Sequence, residues 1–250
     1  MRAAVYSGTR NLYPDMVTAA KSLIANSNVE KVYFLIEDDT FPEKLPPMIE
    51  TINVSGQEWF TSDGANFRTS FTYMSLLRVC YTKLLPKEVD RVLQLDVDTI
   101  VTDDISELWD IDMTGKWFAA VLEENSKYKP YSAKYYNIGV AMFNLEQIRK
   151  DEIDDKLIKR LNSTHMPYID QDAWNWAIAH KLGKDMTLPS RFNESFVTEY
   201  SDAPAIVHFA GFKNWQTSTR APRREYIKKY RGMTWKEATR GKNPNRRTDV

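Results

Sequence analysis

The sequence predicts an open, mostly parallel α/β sheet with helices on its faces, and three observations support this. Short apolar runs rich in Val, Tyr and Leu have the character of buried parallel strands. They alternate along the chain with longer segments whose apolar residues recur at helical spacing. The 250 residues are 42% hydrophobic, with seven Trp and 11 Phe, which is ample for a large core and excludes a disordered or fibrous chain.

The predicted elements follow one another in a regular order. Apolar runs predict strands at residues 2–6, 31–36, 91–95, 117–122, 139–144 and 205–209. Helical spacing predicts helices at 14–26, 71–85, 153–162 and 170–180. Pro14 fits the first turn of the first helix, and Pro86 ends the second. Because ligands of open α/β sheets bind at the carboxyl ends of the strands, we expect the chemistry there.

The charge is unevenly distributed, although the whole chain is neutral with 34 basic and 34 acidic residues. Residues 220–250 contain 11 Lys and Arg against three acidic residues, so this tail carries +8 and the preceding 219 residues carry −8. The sequence therefore predicts a main domain at 1–219 and a separate basic appendage at 220–250.

Signals for a membrane or for export are not found in the sequence. No stretch approaches the roughly 18 consecutive apolar residues of a membrane-spanning helix, and the first residues enter a polar loop without the apolar run of a signal peptide. The single cysteine, Cys80, cannot form an internal disulfide. We expect a cytoplasmic protein.

Two aspartates stand where the third predicted strand ends. In VLQLDVDTIVTDDISELWD, Asp96 and Asp98 follow an apolar run at i and i+2, which aims both side chains into one crevice. Two carboxylates that point together repel each other unless a hard cation lies between them. Asp110 and Asp112 have the same spacing, so the spacing alone leaves a metal site and a solvated turn as alternatives.

The segment RVLQLDVDTIVTDDISELW resembles the metal-binding segment of the family 8 glycosyltransferases, the group of glycogenin and the bacterial lipopolysaccharide galactosyltransferases. Four further segments resemble that family in its own order. They are YMSLLR, with the arginine that faces the donor sugar, the asparagine-x-glycine strand YYNIGVAMFNLEQIR, the aspartate-glutamine-aspartate helix start YIDQDAWNWA, and the histidine-glycine-lysine segment IVHFAGFKNW. The likeness spans roughly residues 1–215.

This resemblance implies a GT-A type nucleotide-diphospho-sugar transferase fold with a Rossmann-like sheet, and a retaining, metal-dependent hexosyltransferase. Such an enzyme would move glucose or galactose from a UDP-sugar to a glycan, lipid-linked or protein acceptor. The resemblance further implies that Asp96, Asp98 and His208 ligate Mn²⁺, with Mg²⁺ as the alternative. Lys213 would add positive charge at the diphosphate, although it follows His208 by five residues where the family usually has six.

The resemblance also implies which residues surround the donor sugar. Gln171 would lie near the anomeric carbon, and Asp170 and Arg78 would hold sugar hydroxyls. Without the resemblance, Asp170 is equally well interpreted as the cap of a helix amino terminus. Residues 188–193, LPSRFN, resemble a family segment on the acceptor side, with a structured loop as the alternative. The other expected donor-binding residues are Tyr6, Ser7, Gly8, Asn11, Tyr13, Val97, Asn137, Gly139 and Gly211.

The stretch SGTRNLYP at residues 7–14 supports a second interpretation. Its glycine-threonine-arginine string is similar to the triphosphate loop of sugar-nucleotide pyrophosphorylases, whose backbone N–H groups hold phosphate. The upstream glycines of that loop are absent and Asn11 is inserted, which hinders a close approach of the backbone to phosphate. A pyrophosphorylase is kept as an alternative because of this string. An inactive carbohydrate-binding scaffold of the same fold is a further alternative. Arg10 is expected to be dispensable for metal binding.

The basic tail contains one segment of helical pattern. Tyr226, Ile227, Tyr230 and Met233 fall on one helix face with Lys and Arg around them. The pattern is typical of a helix at an anionic membrane surface, here the inner face of the membrane, and equally of a helix packed on the domain with a solvated basic face. Nucleic acid is not expected as a partner, because no recognised module accompanies the charge.

Overall fold

The computed structural model describes residues 1–69, 71–124, 134–212, 214–217 and 223–240. The strands within these ranges are β1 (Ala3–Gly8), β2 (Lys31–Ile36), β3 (Ile49–Asn53), β4 (Arg91–Leu95), β5 (Thr99–Val101), β6 (Phe118–Leu122), β7 (Tyr136–Asn144), β8 (Asp185–Thr187) and β9 (Ile206–His208). The α-helices are α1 (Tyr13–Asn26), α2 (Tyr81–Leu84), α3 (Ser106–Asp110), α4 (Leu145–Asp151), α5 (Ile153–Ser163), α6 (Ile169–His180), α7 (Arg224–Arg231) and α8 (Trp235–Arg240). Short 3₁₀ helices cover Arg10–Leu12, Tyr73–Cys80 and Ser190–Phe192.

Seven strands form one sheet in the order β3-β2-β1-β4-β7-β6-β8. The pairs β1–β2, β1–β4, β2–β3 and β6–β8 are parallel, whereas β7 runs antiparallel to both of its neighbours. The chain moves outward from β1 through β2 to β3 and then returns to β4 on the other side of β1, so the strand order reverses between β1 and β4. The predicted open, mostly parallel sheet is confirmed, and this reversal is where such sheets bind ligands.

The sheet is covered on both faces. On one face, Phe118, Phe143 and Trp174 pack with ring centroids 5.0–6.1 Å apart and attach α6 to the sheet. On the other face, the buried side of α1 covers the apolar residues of β1, β2 and β4. A smaller apolar cluster joins β5 and β9 to α7. Burial of aromatic and branched side chains on both faces is the main source of stability in such a layered fold.

The six predicted strands and four predicted helices lie at or within a few residues of observed elements, with one change of type. Residues 71–85 form a 3₁₀ helix over Tyr73–Cys80 that passes into α2, and not one α-helix. Met74, Leu77 and Cys80 are buried at a spacing of three, which suits a 3₁₀ helix as well as an α-helix. The sequence predictions missed β3, β5, β8, α3, α4 and α8, which are short or exposed along one side.

No helix among the described residues has both the length and the apolar character that a membrane span requires.

Candidate active site

Asp96, Asp98 and His208 come together at the carboxyl end of β4. Asp96 follows the last residue of β4, and the antiparallel pairing of β5 with β9 places His208 opposite Thr99, one residue after Asp98. His208 Nε2 lies 3.5 Å from Asp96 Oδ2 and 3.3 Å from Asp98 Oδ1, and one ligand atom from each of the three residues lies within 4.8 Å of the others. Two carboxylate oxygens and an imidazole nitrogen at this separation can share a divalent cation.

The His208 ring is oriented by a buried neighbour. Its Nδ1 lies 2.9 Å from Asn193 Oδ1, so Nδ1 donates the proton and Nε2 is the nitrogen that faces the aspartates. Asn193 is fully buried and His208 is 5% exposed. A hydrogen bond to the far nitrogen of a ligating histidine fixes its tautomer and ring orientation, which is the arrangement found in metal centres.

The electrostatics of this cluster favour positive charge. Burial would lower the pKa of His208, but the carboxylates of Asp98 and Asp96 outweigh burial and raise that pKa to about 10. Burial would raise the pKa of Asp96, but the Arg78 guanidinium and His208 hold it below its usual value. The residues present therefore fit a divalent cation, which would supply the positive charge that the protonated imidazole otherwise provides.

Gly139 makes room for the cluster at the centre of β7. A Cβ atom at this position would overlap the His208 ring and would lie 2.9 Å from Asp96 Oδ2. The Gly139 carbonyl also accepts the Asp96 N–H at 2.7 Å, which fixes the turn after β4. Only glycine allows the β7 backbone to approach the His208 and Asp96 side chains this closely.

Arg78 connects the cluster of Asp96, Asp98 and His208 to the buried carboxylate of Asp170. Its Nη2 lies 2.6 Å from Asp96 Oδ1, and its Nη1 lies 3.4 Å from Asp170 Oδ2. Burial raises the pKa of Asp170 to about 6, against the opposing effect of Arg78. Asp170 therefore remains under-compensated, and it does not cap α6, because the N-cap residue is Tyr168, whose side chain makes no cap hydrogen bond. The interpretation of Asp170 as a helix cap is wrong.

The start of α6 is held in a strained conformation. Ile169 has φ of +47°, a left-handed backbone that β-branched residues rarely adopt. The Asp172 carboxylate accepts the Tyr168 N–H at 2.9 Å and the Tyr135 hydroxyl at 2.6 Å, and this pair of bonds holds the turn. Asp170 and Gln171, which follow Ile169, both line the cavity described below.

Buried amides and one carboxylate connect His208 to Gln171. Asn193 Nδ2 donates to Asn137 Oδ1 at 2.8 Å, and Asn137 Nδ2 donates to Glu123 Oε1 at 2.8 Å. Gln171 Nε2 donates to the same Glu123 oxygen at 3.0 Å. Sequence reasoning missed Glu123 as a site residue and placed Asn193 only in a segment of the acceptor side. One signal was available, because Glu123 follows an apolar strand as Asp96 does.

A cavity of about 810 Å³ lies over these groups, which is within the size range of small-molecule sites. Twelve of the predicted site residues line it, and they come from strand ends, helix starts and the loop after β9. They are Ser7, Asn11, Arg78, Asp96, Val97, Asp98, Asn137, Gly139, Asp170, Gln171, His208 and Gly211.

Three other predicted residues are placed differently, and a fourth is not described. Tyr6 is fully buried with its ring edge against Phe34, and Tyr13 is 1% exposed with its ring stacked on Phe41. These rings belong to the core and do not line the cavity. A Cβ on Gly8 would lie 2.9 Å from Met16 Sδ, so this glycine allows β1 to pack closely on α1. The fourth residue, Lys213, lies outside the described residues.

Two pairs of aromatic rings line the mouth of the cavity. Phe71 and Tyr168 have centroids 6.4 Å apart in one pair, and Phe196 and Phe212 have centroids 6.2 Å apart in edge-to-face packing in the other. Phe71, Tyr168 and Phe196 are 44%, 43% and 49% exposed, and all four rings line the cavity. The mouth of the cavity is therefore lined by aromatic rings, and its floor by the charged side chains of Asp96, Asp98, Arg78 and Asp170.

Comparison with known proteins identifies the family. The model of "Glycosyl transferase family 8" matches residues 4–219. The chain belongs to glycosyl transferase family 8. This confirms the predicted family and supports the prediction of a hexosyltransferase. Family 8 relatives include General stress protein A of Bacillus subtilis (strain 168), 30% identical over 194 residues that cover 65% of this chain and 66% of that protein.

Another family 8 relative is a putative glycosyltransferase of Haemophilus influenzae, 28% identical over 211 residues that cover 76% of this chain and 62% of that protein. The chain spans about two thirds of the length of these two relatives and about one third of several streptococcal glycosyltransferases. Among solved structures, galactosyltransferase LgtC in complex with donor and acceptor sugar analogs has a TM-score of 0.70 at 20% identity, over 92% of this chain and 95% of that chain. This similarity confirms the predicted GT-A fold.

Proposed function

We propose that this family 8 chain is a retaining, metal-dependent hexosyltransferase that moves glucose or galactose from a UDP-sugar to an acceptor. One observation carries the proposal above all. The cluster of Asp96, Asp98 and His208 shares a single cavity with the Arg78–Asp170 pair. A cation-binding group beside hydrogen-bonding groups for a sugar is the arrangement that a diphospho-sugar donor requires.

The ligand set favours Mn²⁺, with Mg²⁺ as the alternative. Two carboxylates and an imidazole suit Mn²⁺ well, whereas Mg²⁺ prefers oxygen ligands alone. When bound by Asp96, Asp98 and His208, such a cation would stabilise the negative charge that develops on the departing diphosphate. Lys213 would provide a second positive charge at that end of the donor.

The sugar of the donor would lie between Arg78 and α6. Asp170 would accept hydrogen bonds from sugar hydroxyls, which fits a buried carboxylate that Arg78 compensates only in part. Gln171 would lie near the anomeric carbon, and it is held there by Glu123 and by the Ile138 N–H at 3.2 Å from its Oε1. Attack of the acceptor on the same face of the sugar from which the diphosphate departs would retain the anomeric configuration.

The nucleoside end would lie at the carboxyl end of β1. Ser7 and Asn11 line this part of the cavity, and Asn11 Oδ1 accepts the Thr9 hydroxyl at 2.6 Å, which orders the loop. In this arrangement the SGTRNLYP stretch would hold uridine through Ser7 and Asn11. Tyr6 and Tyr13 stabilise the core instead.

A glycan acceptor agrees best with the cavity mouth. The apolar C–H face of a pyranose packs well on aromatic rings, and Phe71, Tyr168, Phe196 and Phe212 present such rings at the opening. This surface supports a sugar as the part of the acceptor that enters, whether the glycan is free, lipid-linked or attached to protein.

The test is an assay of UDP release by the purified protein with MnCl₂ and a panel of UDP-sugars. We expect slow, metal-dependent release of UDP from one sugar, stimulated by a glycan acceptor and abolished by EDTA. A requirement for UTP and a sugar phosphate would favour the pyrophosphorylase. No turnover, with UDP-sugar binding retained, would favour the scaffold.

We further propose a cytoplasmic catalytic domain at 1–219 with a basic appendage at 220–250 that contacts anionic lipid by charge. Ile227 and Tyr230 of α7 are buried against the cluster at β5 and β9, so this helix packs its apolar face on the domain. Contact with a membrane would therefore depend on Lys and Arg of the tail. Sedimentation with anionic vesicles, but not with neutral ones, would support this contact.

A further inference from the structure

Arg223 lies beyond the residues that match the family, yet its side chain reaches a buried carboxylate beside the candidate active site. Its Nε lies 3.0 Å from Glu194 Oε1 and its Nη2 lies 3.2 Å from Glu194 Oε2. Glu194 is 1% exposed. Arg223 Nη2 also donates to the Ser201 carbonyl at 2.9 Å, and the Ser201 N–H donates to Glu194 Oε2 at 2.8 Å. The Arg223 guanidinium thus binds a residue at each end of the loop 194–201.

The backbone of Glu194 supports the metal ligand directly. Its N–H donates to the Ile206 carbonyl at 2.9 Å, and its carbonyl accepts the His208 N–H at 2.8 Å. The preceding residue, Asn193, holds the His208 ring through Nδ1. Two consecutive residues therefore fix the backbone and the side chain of the same histidine, and the carboxylate that Arg223 neutralises belongs to one of them.

The loop that Arg223 closes also forms part of the cavity wall. Phe196 and Val197 line the cavity, and the Thr198 hydroxyl donates to the Asn193 carbonyl at 2.5 Å. A buried carboxylate that loses its partner must find another or reach water, and either adjustment of Glu194 would disturb the loop that its carboxylate holds through the Ser201 N–H. Movement of the loop would displace both Phe196 and the peptide that binds the His208 N–H.

We propose that Arg223 is a positioning residue, which holds loop 194–201 and His208 in the geometry of the site through its bonds to Glu194. The basic tail thereby contributes to the site in addition to any contact with lipid. An effect of Arg223 on catalysis rests on the proposed function, whereas its effect on the positions of loop 194–201 and His208 does not.

The first test is hydrogen–deuterium exchange on the full chain without metal, comparing Arg223→Ala with Lys228→Ala. Lys228 is exposed on α7, so its variant loses the same charge without touching Glu194. We expect exchange in peptides 194–201 and 206–208 to accelerate roughly tenfold or more in Arg223→Ala alone, with β1 and α1 unchanged. Equal exchange in the two variants, or a uniform increase along the chain, would overturn the proposal.

The second test is titration with MnCl₂ alone, followed by electron paramagnetic resonance. Because the His208 peptide is held through Glu194, Arg223→Ala should weaken Mn²⁺ binding by about 10-fold, within the range for groups that support metal ligands. Methylguanidinium, which replaces the missing group, should restore binding in this variant and should have no effect on Lys228→Ala. Unchanged Mn²⁺ affinity would contradict the proposal. UDP-sugar turnover by the wild type is measured separately. Absence of turnover would count against the proposed function, whereas unchanged exchange and Mn²⁺ affinity in Arg223→Ala would count against the positioning role of Arg223.

Discussion

The proposed metal half of the candidate site (Asp96, Asp98 and His208) and its proposed sugar half (Arg78, Asp170 and Gln171) differ in how their carboxylates are compensated. In the metal half, Arg78 and His208 hold the pKa of Asp96 below its usual value, and the pKa of His208 is raised to about 10. In the sugar half, burial prevails and raises the pKa of Asp170 to about 6. The first half is prepared for a cation that replaces a proton, and the second for neutral donors such as hydroxyl groups.

The largest effect is expected from the metal half. Asp96→Asn or Asp98→Asn should abolish measurable Mn²⁺ binding and reduce turnover by on the order of 10³-fold or more, because a cation held by two carboxylates loses half of its anionic ligands. Titration with MnCl₂ and UDP-release assays measure both quantities. Asp110→Asn is the matched control, since Asp110 shares the spacing with Asp112 but is exposed and outside the cavity. If Asp96→Asn and Asp98→Asn both still bind Mn²⁺, these two aspartates are not the metal ligands.

The next effect concerns the sugar half. Asp170→Asn should reduce transfer by about 10²-fold to 10³-fold, because a carboxylate accepts hydrogen bonds from hydroxyl groups more strongly than an amide does. Affinity for UDP should change less than about twofold, since Asp170 makes no contact with Ser7 or Asn11 at the nucleoside end, whereas Mn²⁺ affinity can shift because Arg78 pairs with both Asp170 and Asp96. Calorimetry with UDP and Mn²⁺ checks this separation. A transfer rate equal to that of the wild type would exclude the proposed role of Asp170.

The charge of Asp170 should also lower the stability of the fold. Its pKa in the folded chain, about 6, lies above its usual 3.8, so the folded state binds more protons between these values and its stability falls as the pH rises through this window. Asp170→Asn should therefore be more stable than the wild type at pH 7, by up to about 3 kcal/mol, with a difference that shrinks toward pH 4. Urea unfolding of the metal-free protein at several pH values measures it. A pH-independent difference would contradict the assigned pKa.

The hydrogen-bonded chain between the two halves can be cut at either end. Asn193→Ala should weaken Mn²⁺ binding about 10-fold to 100-fold, because His208 loses the bond that fixes its tautomer. Glu123→Gln should leave Mn²⁺ affinity nearly unchanged and should lower kcat, because it disturbs Gln171. Parallel MnCl₂ titrations and steady-state kinetics compare the two variants. If both variants change the same quantity, the two halves form one unit and not two.

The smallest effect is expected at Arg10. Its side chain is 65% exposed and pairs with Asp38, away from both halves of the site. Arg10→Ala should change Mn²⁺ affinity and turnover by less than about twofold, since exposed ion pairs contribute little. Loss of Mn²⁺ binding in this variant would restore the phosphate-loop interpretation of SGTRNLYP.

Much of the site could be predicted from local chemistry. Asp96 and Asp98 stand at the end of an apolar run, and a strand delivers such residues to its carboxyl edge whatever the rest of the chain does. His208, Arg78 and Asp170 were assigned only through the resemblance of their segments to family 8, and local chemistry alone would not have selected them. Glu123 could have been found by the same rule, because it follows the apolar run of β6.

Other features depend on which side of an element faces the ligand. Neighbouring residues of a strand point to opposite faces, so either Tyr6 or Ser7 could face the cavity. Tyr6 is buried in the core that α1 covers, and Ser7 therefore lines the cavity. The periodicity of the tail likewise defines an apolar face but not its partner. The cluster at β5 and β9 covers that face.

The alternation of strands and helices follows from local propensity and burial, and the resemblance to family 8 supplied the meeting of His208 with Asp96 and Asp98. The contacts by which Asn193 and Glu123 link His208 to Gln171, and by which Arg223 holds the loop behind it, could be read only from the folded chain. These contacts join residues far apart in the chain. Their distances follow from the register of β5 with β9 and from the docking of α6 and α7, which no short stretch of sequence specifies.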